Sequence, residues 1–116
     1  MKTKFILPII ILLFSNAASA SQINSTTATS STDNVGYGYQ VLDSIGAGAE
    51  YNTGVGYRTL YSITTGDYNT ASGNKSLYSM TTGSSNTALG ANAMEWNTTG
   101  SRNVAIGDDT LLGSTG

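Results

Sequence analysis

The 116-residue sequence contains no cysteine and no histidine. Their absence excludes disulfides, cysteine nucleophiles, histidine bases and the common zinc sites, so we expect neither an enzyme nor a cofactor. Charged residues make up only 10% of the chain and form no basic patch, so nucleic acid is not an expected partner. The single proline and both phenylalanines lie within the first twenty residues. What remains is a chain of glycine, tyrosine and small polar residues.

Residues 1–20 have the pattern of a secretory signal peptide. Two lysines precede an apolar run at 5–14, and Ala18-Ser19-Ala20 supplies an A-x-A site, so we expect cleavage after Ala20. The run is shorter than the roughly 20 residues of a transmembrane helix. No membrane span is therefore expected after cleavage, with an uncleaved anchor as the alternative. We expect the protein to be secreted or held at the outer surface of a bacterial cell.

Residues 21–33 are rich in serine and threonine and show no periodicity. This composition predicts a flexible linker, with an O-glycosylated stalk as the alternative. Beyond the signal, three positive charges face seven negative ones, and a weakly acidic surface argues against an anionic membrane as partner. The adjacent pair Asp108-Asp109 is interpreted as a solvated turn, because the glycine/aspartate repeat of calcium-binding β-rolls is missing. No metal is expected.

From Asn34 to the end, the chain is a tandem repeat, which indicates a repeat architecture. The copies read NVGYGYQVLDSIGAGAEY, NTGVGYRTLYSITTGDY, NTASGNKSLYSMTTGSS, NTALGANAMEWNTTGSR and NVAIGDDTLLGSTG. The three middle copies have seventeen residues, the first has one more near its Ala-Gly-Ala, and the last is shorter. We call the residues at one position of the aligned copies a column, numbered from the leading asparagine.

Several columns hold one residue type in every copy. Column one consists of Asn34, Asn52, Asn69, Asn86 and Asn103. Column five is always glycine, column nine is always leucine or methionine, and column three is only glycine or alanine. A second glycine closes each of the first four copies.

These columns predict a short β-strand in every copy. Columns two to four alternate in side-chain size, and the glycine of column five ends the strand with backbone angles that other residues avoid. The small third column is expected to face a crowded side. A second short strand is predicted near columns eight to twelve. The Thr-Thr-Gly that follows is predicted to form a turn with its glycine at positive φ.

Stacked copies of this unit predict an all-β fold, a parallel β-roll or β-solenoid of about five 17-residue coils over residues 34–116. One coil cannot bury its own apolar face, whereas coils stacked ~4.8 Å apart can. The asparagines of column one are expected to form a ladder of amides along the stack. A helical solenoid is excluded by two glycines per copy, at about 1 kcal/mol each in a helix. Disorder does not account for the regular return of leucine or methionine.

The motif N-[TV]-[AG]-x-G, clearest at 86–90 and 103–107, is similar to the head repeats of YadA-like trimeric autotransporter adhesins. Related repeats occur in trimeric phage tail fibres. The resemblance covers residues 34–116 and implies a left-handed β-roll, a homotrimer with apolar columns around a threefold axis, and a virulence-related adhesin head. Such heads bind host matrix proteins or glycans. The unit here is longer than the family's usual repeat, and the family's stalk and anchor are not found in these residues, as expected of a shortened relative, a fragment or a secreted head.

Tyr61, Tyr78 and Trp96 are the candidate ligand-contacting residues. Tyr61 and Tyr78 share column ten, Glu95 follows them in that column, and Trp96 is next to Glu95. Tyrosine and tryptophan are favoured at contact surfaces. An exposed strip of the three is our hypothesis. The alternative is that stacked tyrosines cover neighbouring coils or fill a trimer interface.

Two other functions stay open alongside the adhesin. A stacked coil has edges that can pair end to end, which would make a self-assembling extracellular β-fibre. Thr53, Thr70 and Thr87 share column two, as expected of an ice-binding solenoid, but Val35 and Val104 interrupt that column at both ends.

Overall fold

The computed structural model describes residues 23–24 and 33–113. The predicted signal peptide and most of the predicted linker lie outside these residues. Within the described part the chain is all-β and contains no helix. Its copies coil into a parallel β-solenoid, which confirms the predicted fold class. None of the described residues belongs to a helix long and apolar enough to cross a membrane.

Within residues 23–24 and 33–113, six strands form one sheet in sequence order. They are β1 (Ile23–Asn24), β2 (Val35–Tyr37), β3 (Thr53–Val55), β4 (Thr70–Ser72), β5 (Thr87–Leu89) and β6 (Val104–Ile106). Strands β2 to β6 pair in parallel, so each residue lies beside the residue of the same column in the next coil. Strand β1 lies antiparallel to β2. The sequence pattern of 21–33 does not indicate β1, and this strand covers one of the two edges that end-to-end fibre growth needs.

The third column packs into the solenoid, and the second and fourth columns project from it. Ala71 and Ala88 are both only 1% exposed. The space is too small for a larger side chain, since a Cβ at Gly54 would lie 2.7 Å from Cγ1 of Val41. The prediction of a crowded side behind the third column is confirmed.

The prediction of a second strand near columns eight to twelve is wrong. Most of these residues form turns, because columns seven and nine are left-handed, with φ of 53° at Arg58 and 52° at Leu60, whereas a strand needs strongly negative φ. Backbone hydrogen bonds between neighbouring coils nevertheless form in this segment. The N–H of Leu60 donates to the carbonyl of Ser76 at 3.1 Å, and the N–H of Ser62 to that of Tyr78 at 3.2 Å. Stacking thus offsets a left-handed cost of about 1–2 kcal/mol per residue.

The glycines of each copy have different roles. In column five φ is 125–139°, which confirms the prediction for that column. The prediction of positive φ at the Thr-Thr-Gly glycine is wrong. The left-handed residue is instead the one before the asparagine that opens each later copy, such as Tyr68 (φ 57°) and Ser85 (φ 61°). Gly66 is required for a different reason, which is that the backbone of the next coil lies very close to it. A Cβ at Gly66 would collide with the carbonyl oxygen of Gly83 in the next coil.

Two apolar columns fill the interior. Column nine contributes Leu42, Leu60, Leu77 and Met94, which are 0–4% exposed. Column twelve contributes Ile63 and Met80, both fully buried. Each such side chain stabilises the fold by about 1.5–3 kcal/mol. In the fourth coil the buried Asn97 takes the column-twelve position, and its Oδ1 accepts the N–H of Gly100 at 2.8 Å.

The column-one asparagines form a continuous ladder of amides. Nδ2 of Asn69 donates to Oδ1 of Asn52 at 3.0 Å and to the carbonyl of Gly83 at 2.9 Å. Oδ1 of Asn69 accepts from the N–H of Asn86 at 3.0 Å and from its Nδ2 at 2.9 Å. The four hydrogen-bonding positions of the amide are therefore all filled, and Asn52 and Asn86 repeat the pattern. The ladder joins successive coils through a buried polar column.

Candidate functional site

The three aromatic residues chosen from the sequence do not form one continuous stack. Tyr61 and Tyr78 stack in column ten, with ring centroids 5.1 Å apart, and both are half-buried. Glu95 takes the next position of the column and is 7% exposed. Trp96 lies in column eleven and is 54% exposed. The stack therefore ends at Tyr78, and Trp96 presents its ring separately.

A cation lies over each ring of this stack. The Cζ atom of Arg58 is 5.8 Å from the ring centroid of Tyr61 and 5.3 Å from that of Tyr57. The Nζ atom of Lys75 is 5.8 Å from the centroid of Tyr78. These distances fall within the ~6 Å range of a cation–π contact. The contact between columns seven and ten thus repeats in two successive coils.

The two cations differ in their partners. Lys75 forms a salt bridge with Glu95, with Nζ 3.2 Å from Oε1. Arg58 donates from Nε to Oε1 of Gln40 at 2.7 Å. No carboxylate of the described residues lies within salt-bridge distance of Arg58. Arg58 is therefore positioned by a neutral amide and two rings, while its charge has no counterion on the described chain.

Two further tyrosines extend this cluster. Tyr39 and Tyr57 stack in column six with centroids 5.6 Å apart and planes 10° apart, and they are 55% and 40% exposed. The glycine of column five turns the chain out of each strand and into this surface. We call it the tyrosine–arginine corner, which consists of Tyr39, Tyr57, Arg58, Tyr61 and Tyr78.

The outer face of the sheet is a second exposed surface, which we call the strand face. It is formed by columns two and four of β2 to β6, and its large apolar side chains are 41–67% exposed. They are Val35, Tyr37, Val55, Leu89, Val104 and Ile106. Thr53, Thr70 and Thr87 lie in register between the two terminal valines of column two. The apolar side chains lie in two groups, on β2–β3 and on β5–β6, with Thr70 and Ser72 of β4 between them. Clusters of exposed apolar side chains are typical of interaction sites.

A third pair of tyrosines borders the strand face on its other side. Tyr51 and Tyr68 each precede a column-one asparagine, and their ring centroids are 5.0 Å apart. They are 42% and 61% exposed. The strand face is thus bordered by stacked tyrosines both before and after the strands.

The described residues contain no group of three or more histidine, cysteine or acidic side chains that could hold a metal ion. Asp108 and Asp109 are exposed, and Oδ1 of Asp109 accepts a hydrogen bond from Nδ2 of Asn92 at 3.0 Å. What these surfaces offer to a partner is contact. They present stacked rings, phenolic hydroxyls, an apolar face and the guanidinium of Arg58, which has no counterion among the described residues.

Arg58 is not among the residues that the sequence pattern selects, although a signal for it exists. Arg58 precedes Tyr61 by three residues, and Lys75 precedes Tyr78 by three. Comparison of columns seven and ten would have paired the cations with the rings. Arg58 has no carboxylate partner because the Lys75–Glu95 pair joins column seven of one coil to column ten of the next, and Tyr78 takes that second position for Arg58. The sequence pattern within one copy does not show this offset between coils.

Comparison of the chain with models of known protein families, with curated proteins and with solved structures finds no match. The parallel β-solenoid by itself is a fold that carries several functions. The function of this protein is therefore inferred from the exposed surfaces described above and from the resemblance of its repeat to trimeric adhesin heads.

Proposed function

We propose that this protein is a non-enzymatic, adhesin-like head that is exported to the cell surface or secreted, assembles as a homotrimer and binds a host matrix protein or glycan. One observation carries the proposal. Among the residues that the structure describes, twelve large apolar side chains are 40–67% exposed on a scaffold with a filled interior. Such exposure on a repeat scaffold supports binding to other molecules.

The strand face is the surface that best fits further copies of the same chain. Columns two and four contain no charged residue in any copy, and interface centres are depleted of charge. Every copy of the chain has the same coil spacing, so two strand faces can align coil by coil. Association of three chains around one axis follows the resemblance of the repeat to trimeric adhesin heads.

The double substitution Leu89→Glu/Ile106→Glu is expected to convert the trimer to single chains that keep their β spectrum. Two carboxylates in an apolar interface lose solvation at a cost of several kcal/mol each, whereas both side chains face water in the separated chain. Sedimentation velocity measures the mass, and circular dichroism the fold. The matched control is Thr82→Glu/Thr99→Glu, at exposed turn positions. An unchanged mass for the first variant would exclude the strand face as the interface.

Replacing Tyr61, Tyr78 and Trp96 together by alanine is expected to weaken adhesion by at least tenfold, since aromatic anchors contribute roughly 2 kcal/mol each. Adhesion is measured as binding of the purified protein to matrix deposited by cultured epithelial cells.

The control for that experiment is Tyr51→Ala/Tyr68→Ala, which removes an exposed stacked pair outside the tyrosine–arginine corner. It should retain adhesion. Full retention by the triple variant, with its circular dichroism unchanged, would show that these three residues do not contact the ligand.

A further inference from the structure

We propose that the tyrosine–arginine corner binds the carboxylate of a sparsely charged glycan, with Arg58 as the anion-binding residue and Tyr39 and Tyr57 as the surface for the sugar ring. This inference rests on the proposed binding function. It adds the chemical class of the ligand and the residue that anchors it.

Arg58 is held in place before any ligand arrives. Its Nε donates to Gln40 at 2.7 Å, and its guanidinium lies 5.3 and 5.8 Å from the ring centroids of Tyr57 and Tyr61. A guanidinium has five N–H donors in a planar fork that matches a carboxylate. The N–H groups on its two terminal nitrogens have no acceptor among the described residues. Little side-chain freedom is lost when such a group binds, which favours affinity.

The distribution of charge on the protein favours a ligand with few, well-separated negative charges. Lys75 is paired with Glu95, so Arg58 is the cation of this corner that is left to bind an anion. Beyond the signal, the chain carries seven negative charges against three positive ones, which disfavours a densely charged polyanion. An isolated carboxylate avoids this repulsion, because charges farther than ~8 Å apart are largely screened at physiological ionic strength.

The tyrosines favour a sugar as the carrier of that carboxylate. Tyr39 and Tyr57 are 55% and 40% exposed and nearly parallel. Each therefore presents an apolar ring edge and a hydroxyl that can donate and accept hydrogen bonds. The amide Nε2 of Gln40 has no acceptor among the described residues and can donate to a sugar hydroxyl. An aromatic surface beside several polar groups suits a ring with one apolar face and a hydroxylated edge.

The test measures binding of the purified protein to four probes. They are hyaluronan, with one carboxylate in every second sugar, neutral dextran, densely sulfated heparin and poly-glutamate. Arg58→Gln is compared with Arg102→Gln, an identical change at an exposed arginine that is also left-handed, with φ of 61° against 53°. We expect wild type to prefer hyaluronan. Arg58→Gln should bind it at least about tenfold more weakly, given the strength of a bidentate charged pair, and Arg102→Gln should bind within about twofold of wild type.

Each other outcome overturns the inference. Equal losses in both variants would indicate general charge attraction. Equal binding to dextran, or stronger binding to heparin or poly-glutamate, would exclude a sparsely charged glycan. Binding to none of the four probes by protein that still adheres to deposited matrix would exclude this ligand class and leave the adhesin proposal standing. If the protein bound neither the four probes nor deposited matrix, the glycan inference and the adhesin proposal would both be excluded.

Discussion

Asn69→Ala is expected to lower the free energy of unfolding by on the order of 4 kcal/mol, since each buried polar group left without a partner costs about 1–3 kcal/mol. The substitution removes four hydrogen bonds of the Asn69 amide. It leaves the carbonyl of Gly83 and the N–H of Asn86 buried without their partners. For a domain whose total stability is about 5–15 kcal/mol, this loss is a large fraction of the whole.

Urea denaturation followed by circular dichroism measures the effect, at one protein concentration because the proposed assembly would make stability concentration-dependent. The matched control is Asn103→Ala, at the last rung of the ladder. Its Nδ2 donates to Asn86 alone, so we expect a loss of about 1 kcal/mol. Equal losses at the two positions would mean that the ladder does not hold the coils together.

Gly73→Ala is expected to prevent folding or to cost more than about 4 kcal/mol, which places it among the most damaging single substitutions. Two independent causes add. The φ of Gly73 is 137°, a conformation that residues with a Cβ avoid. An added Cβ would also collide with the carbonyl oxygen of Gly90 and lie 2.6 Å from its carbonyl carbon. Backbone atoms of the next coil cannot move aside without separating the coils.

The control for this substitution is Gly48→Ala in the first copy. A Cβ at Gly48 would meet nothing nearer than Cγ2 of Thr65 at 3.3 Å, and the residue is outside the left-handed region. We expect its stability to change by less than about 1 kcal/mol. Thermal unfolding of both variants measures the difference in stability. Equal melting temperatures would contradict the claim that column five requires glycine.

Both substitutions act on contacts between coils, which is where this cysteine-free chain has its stability. Strands β2 to β6 are each only three residues long, too short to be stable alone. The bonds along the asparagine column and the close stacking of the column-five and Thr-Thr-Gly glycines join one coil to the next. A defect in one coil is therefore expected to disturb its neighbours, as in other solenoids.

The sequence predicts the strands because their signal is local. The small third column and the glycine of column five reflect steric limits that a single copy already shows. The prediction of a second strand near columns eight to twelve is wrong for a physical reason. Arg58 and Leu60 adopt left-handed angles, which bulky residues seldom adopt by preference. They do so here because the neighbouring coils accept hydrogen bonds from their N–H groups. The sequence of a single copy does not indicate these bonds.

The candidate site was predictable to a similar degree. The shared column of Tyr61 and Tyr78 correctly suggests a stack, since residues of one column lie above one another. The interruption of that column by Glu95 is visible in the sequence as well. The half-burial of the two tyrosines is not, because it depends on the turn formed by columns seven to ten. The small third column also predicts which side of each strand is crowded, and therefore which side carries columns two and four. A single copy does not show that columns two and four stay exposed once the coils have stacked.

Light scattering of the purified protein, with circular dichroism on the same sample, tests the central claim that further copies of the chain cover the strand face in solution. We expect a β-rich species with three times the mass of one chain. Growing filaments would favour the fibre instead. A β-rich species that stays at the mass of one chain over the whole accessible range of concentrations would leave the strand face in water and contradict the claim.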